Sequence, residues 1–81
     1  MTFYDLHQPL VEDLRQRVHS GEMTERSLAR ITRVSQPHIH NVLKGKRLLS
    51  VERADQILRE LHIDVLDLIR LEEFLGSRRR D

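Results

Sequence analysis

Residues 24–49 read TERSLARITRVSQPHIHNVLKGKRLL, and the segment 35–44 within them decides the fold. Thr24 is a good N-cap, and Glu25 behind it suits the positive end of a helix dipole. Leu28, Ala29 and Ile31 then form the buried side of a short helix, with the small Ala29 where a second helix can cross closely. Thr32, Arg33 and Val34 make a turn with no room for a loop. Ser35 caps the next helix, and Pro37 falls in its first turn, where a missing N–H costs nothing. At about 100° per residue, Ile39, Val42 and Leu43 share one side of that helix. Pro37, His40, Asn41 and Lys44 lie opposite, flanked by Gln36 and His38. The apolar side is expected in the core and the polar side outward. Gly45 stops the helix, and Lys46 and Arg47 follow in the loop.

The rest of the chain reads as support for this unit. Leu6, Leu10, Leu14 and Val18 recur four apart, with Val11 beside them, which is one stripe of a helix. Pro9 belongs in a first turn, so the helix is expected to start near Gln8 and to end at Ser20 and Gly21. Ser50 caps a further amphipathic pattern through Val51, Ala54, Ile57, Leu58 and Leu61. Asp64 caps the last one, where Val65, Leu66, Leu68, Ile69, Leu71, Phe74 and Leu75 spread around too much of the helix for one face to bury. Leu68, Ile69, Leu71, Phe74 and Leu75 are therefore expected to pack on a second chain, the other possibility being a helix wrapped into its own core. The organisation read from this is a single domain over residues 1–75, with its central motif at 24–44 and its last helix at 64–75. Residues 76–81, GSRRRD, follow as a basic flexible tail. There is no internal repeat and no strand-like alternation.

Eighty-one residues bury only about 60% of the surface that the unfolded chain exposes, which leaves no spare volume for a sheltered catalytic cavity. The absence of cysteine excludes disulfides and thiolate metal sites and suits a reducing cytosol. No apolar run approaches the ~20 residues of a membrane helix, and the N-terminus lacks a signal-peptide layout. A cytoplasmic address is expected. The net charge of +1 divides unevenly. Residues 24–50 hold six bases (Arg26, Arg30, Arg33, Lys44, Lys46, Arg47) against the single acid Glu25, and the remainder holds eight bases against twelve acids. Such local asymmetry is the footprint of a face that meets a polyanion.

The run LARITRVSQPHIHNVLKGKR at 28–47, followed by SVERADQILRELHIDVLDLI at 50–69, resembles the helix-turn-helix domain of the Cro/C1-type (XRE-like) prokaryotic and phage repressor family. The likeness covers roughly residues 8–70. It is carried by Leu28-Ala29, by Val34-Ser35-Gln36 leading into the recognition helix, by Ile39, by the Gly45-Lys46 stop and by the pattern from Leu61 to Leu68. Two departures concern the backbone: Arg33 and His62 stand where the family usually has glycine, both left-handed positions, at a cost of about 1 kcal/mol each. A third concerns Glu25, where the family often has a glutamine that touches phosphate. A carboxylate would be repelled there, and that contact is not carried over.

The resemblance implies an all-α fold, a compact five-helix bundle of the lambda-repressor-like type with the helix-turn-helix formed by helices 2 and 3. It implies a regulator that binds double-stranded DNA as a symmetric homodimer on a palindromic operator, with helix 35–44 in the major groove. By family position Gln36, Pro37 and Asn41 read bases, and His40 joins them as a side chain able to bond a base edge. Ser35, His38, Lys44, Lys46 and Arg47 are assigned to the sugar-phosphate backbone.

Five histidines invite a metal reading, but His38 and His40 point about 200° apart on a helix and cannot share one ion. No metal and no cofactor is expected. Nor does the spacing assemble a nucleophile with a base and an orienting group, so no enzyme is expected. If His38 or His40 faces phosphate or guanine, DNA affinity should rise as pH falls. The rival from another class is a protein-interaction module or antitoxin-like partner acting through the apolar last helix.

Overall fold

The computed structural model describes the backbone of residues 3–79 and the side-chain surroundings of residues 5–71, 73 and 74. Five helices follow one another: α1 Phe3–His19, α2 Glu25–Thr32, α3 Gln36–Leu43, α4 Val51–Glu60 and α5 Val65–Arg79. No strand occurs among the described residues, and none of the helices is long and apolar enough to cross a membrane.

Three of the helices begin on a hydroxyl cap of the kind that the sequence predicts. Thr24 Oγ1 accepts from Ser27 N–H at 3.0 Å, and Ser27 Oγ accepts in return from Thr24 N–H at 3.0 Å. Ser35 and Ser50 accept from His38 N–H and Arg53 N–H at 3.3 and 3.2 Å. These bonds satisfy donors that a helix start leaves open. The helix ends are equally regular. Gly45, with φ 79°, lets Lys46 N–H reach back to Asn41 O at 2.8 Å while its own N–H donates to Val42 O at 3.0 Å. His62 does the same for α4, at φ 55°, with Ile63 N–H on Leu58 O at 2.9 Å. Arg33 ends α2 at φ 58°. Both residues that stand in place of glycine thus hold the left-handed conformation anticipated for them.

One core joins all five helices: Leu10, Val11 and Leu14 from α1, Leu28 from α2, Ile39, Val42 and Leu43 from α3, Ala54 and Ile57 from α4, Leu68 from α5, and Leu49 from the loop before α4. Leu6, Val18 and Ala29 pack partly buried against it. Each helical side chain among them follows from the period of its helix, which places i, i+3 and i+4 on one side.

Four expectations change. Helix α1 begins at Phe3 rather than near Gln8, which puts Pro9 inside it. Its ring is fully buried, and burial of Pro9 and Leu10 offsets the backbone bond that proline cannot donate. Helix α5 runs to Arg79 rather than stopping at Leu75, passing through Gly76. A glycine inside a helix costs about 1 kcal/mol and does not by itself break it. Val51, expected inward, is exposed as the first residue of α4. Leu68, assigned to an outer surface, is 2% exposed and belongs to the chain's own core. Of its companions, Ile69 and Leu71 are half-buried, Phe74 is 55% exposed, and the side chain of Leu75 lies outside the described residues. Leu66, at 59%, is the most open large apolar residue of α5 among those described.

Candidate nucleic-acid interface

Helix α3 is held rather than merely packed. Its apolar side, Ile39, Val42 and Leu43, is sealed in the core. At its C-terminal end, Arg15 of α1 donates from Nε to Leu43 O at 2.7 Å and from Nη1 to Glu12 at 2.6 Å. A guanidinium on a helix-end carbonyl both satisfies an open acceptor and opposes the negative end of the dipole. The following loop is pinned to the same helix, because Leu49 N–H donates to Nε2 of the buried His7 at 2.9 Å. Burial of this imidazole pushes its pKa below the ordinary 6.5, so it stays neutral and keeps the lone pair that Leu49 requires.

The turn between α2 and α3 is fixed from two sides. Thr32, fully buried, donates its hydroxyl to Leu28 O at 2.8 Å and accepts from Val34 N–H at 3.3 Å. From α4, Arg53 donates to Thr32 O at 2.8 Å and Gln56 to Ile31 O at 3.1 Å. The last carbonyls of α2 therefore have partners even though the helix ends without a glycine.

What remains outward on α3 is its polar side. Gln36 and Pro37 are exposed, and His40 and Asn41 half-buried. These four expected base readers line one shallow depression together with Glu25. Of the residues assigned to phosphate, Ser35, Lys44, Lys46 and Arg47 are exposed and His38 is half-buried. Ser35 Oγ accepts the capping bond, which leaves its O–H able to donate. A second depression adjoins the first, sharing Glu25 and His40 and edged by Arg15, His19, Lys44 and Lys46. The outer side of α3 is thus flanked by bases at its C-terminal end.

Two features lie beyond what the spacing of residues reveals. Glu25 and His40, fifteen positions apart, form a pair: Nδ1 of the imidazole stands 3.2 Å from both carboxylate oxygens. Nothing short of the α2–α3 crossing angle brings them together. Arg15 and His19 reach the same face from α1, and their only sequence signal is that they lie off its apolar stripe.

No curated protein and no solved structure compared with the chain matches it. The helix-turn-helix family model matches residues 13–68, from the middle of α1 through the start of α5, and the chain belongs to that DNA-binding family, the Cro/C1-type (XRE-like) helix-turn-helix proteins.

Proposed function

We propose that this protein is a sequence-specific, double-stranded DNA-binding transcriptional regulator, a small repressor-like homodimer that lays α3 in the major groove of a palindromic operator. The observation that carries this reading is the division of α3. Its inner side is buried, and its outer side gathers Gln36, Pro37, His40 and Asn41 into one depression beside a basic loop. Asn and Gln make bidentate pairs with adenine, Pro37 offers apolar contact to a thymine methyl, and His40 bonds a base edge. Ser35, His38, Lys44, Lys46 and Arg47 fix register on phosphate. A DNA partner puts the protein's work in the cytoplasm, and the reading asks for no catalytic group and no cofactor.

Binding to duplexes selected from a random pool, followed against salt, tests the proposal. With three cations per protomer on phosphate, a dimer should lose affinity with a log-log slope of about −5. Asn41→Ala should relax base preference, by about 1–3 kcal/mol at its position, with little effect on nonspecific binding. Lys46→Ala should weaken all sequences alike and make the salt slope shallower. Identical behaviour of the two variants would remove the division into readers and anchors.

A second reading, that α5 docks on another protein in the manner of an antitoxin, draws on the exposure of Leu66 and Phe74. Failure of every duplex to bind at low salt would favour it.

A further inference from the structure

We propose that Glu25 makes His40 a base reader whose preference inverts with protonation, an inference that rests on the DNA-binding reading above and adds a specificity residue to it. The carboxylate only accepts hydrogen bonds, so contact of both its oxygens with Nδ1 at 3.2 Å requires a hydrogen on that nitrogen. With Nδ1 committed to Glu25, the other ring nitrogen carries the chemistry. Among the described residues Nε2 of His40 has no bonding partner, and no unpartnered side-chain nitrogen is buried, so Nε2 opens to solvent. The side chain is 46% exposed against 28% for Glu25, which places the carboxylate behind the ring and the ring toward the outside. His40 shares its depression with Gln36, Pro37 and Asn41, where a base edge would lie.

Neutral His40, held as the Nδ1–H form, presents a lone pair at Nε2 and takes a hydrogen bond from the amino group of cytosine or adenine. Protonated His40 presents N–H at the same point and donates to O6 or N7 of guanine. One atom thus reads opposite partners in the two protonation states of the ring. Glu25 is a positioning residue: it orients the ring, excludes the other neutral form and balances the imidazolium. The charged groups facing the pair are Arg15 and His19 from α1 and Lys44 and Lys46 from the loop after α3. His19 is the second imidazole among them.

The test is selection of binding sites from random duplexes at pH 6.0 and pH 8.0, with helicity checked at both. Wild-type protein is expected to enrich guanine at one operator position at the lower pH and cytosine or adenine there at the higher, each by about tenfold. His40→Gln should select one base at that position at both values. Glu25→Gln, which keeps the shape but not the charge, should weaken the exchange, while His19→Gln should leave it in place. The same selected base at both pH values in the wild type, or an exchange that survives His40→Gln, would overturn the inference while leaving the DNA-binding reading intact. Recovery of no duplex at either pH, even at low salt, would remove both.

Discussion

His7 shows how much one side chain can hold in a domain of this size. Its Nε2 accepts from Leu49 N–H, tying the loop that follows the recognition helix back to α1. The imidazole is buried and favours its neutral form, so its pKa in the fold lies below 6.5. The unfolded chain therefore takes up a proton first as pH falls, and the fold loses stability from about 6.5 downward while keeping it in full above. The expected slope is at most about 1.4 kcal/mol per pH unit. His7→Gln, which keeps an acceptor without titrating, should flatten urea stability between pH 6.5 and 5, above the range where carboxylates dominate. An unchanged slope would show that the proton goes elsewhere. None of this is legible in the sequence, where His7 is a polar residue next to an apolar stripe; its partner is forty-two positions away. By contrast Gln36 and Asn41 could be assigned an outward place from helical spacing, because the alternative would bury them without partners.

At the scale of elements, caps and stops were the most readable features, since each depends on a local hydrogen bond that only certain residues make. Ser35, Ser50, Thr24, Gly21 and Gly45 all mark helix ends. Arg33 and His62 sit in the left-handed region although neither is glycine. Arg33→Gly and His62→Gly should each stabilise the protein by about 1 kcal/mol, read as a shift of the thermal or urea midpoint. Loss of stability in Arg33→Gly would mean that its exposed side chain contributes more than its backbone costs. At two helix ends the local signal misled. Pro9 argued for a helix beginning at Gln8, but the ring is sealed in the core and the helix continues through it to Phe3. Gly76 argued for a stop that α5 does not make. The Glu25–His40 pair and the Arg15 bond to Leu43 O depend on how helices cross, which periodicity does not specify.

For the whole molecule, the uneven charge and the apolar α5 divide the surface into two kinds of face. The basic loop after α3 carries Lys44, Lys46 and Arg47 beside the outer side of α3, while Leu66 and Phe74 are exposed on α5. Leu68 turns inward and anchors α5 to the core, so the apolar surplus of that helix is smaller than its composition suggests. If the remainder joins two protomers, Leu66→Asp should convert a dimer to a monomer in sedimentation and weaken binding to a palindrome more than to a single half-site. The fold should change by no more than about 0.5 kcal/mol, because the position is exposed. A monomeric wild type would rule out a dimer joined through α5.

DNA binding by this protein rests on the outer side of α3, which amide NMR on adding a selected duplex at moderate salt observes residue by residue. With α3 in the major groove, shifts are expected to concentrate at residues 35–41 and 44–47, with Glu25 included and the exposed part of α5 spared. Shifts confined to α5, or no shifts with any duplex, would contradict that placement.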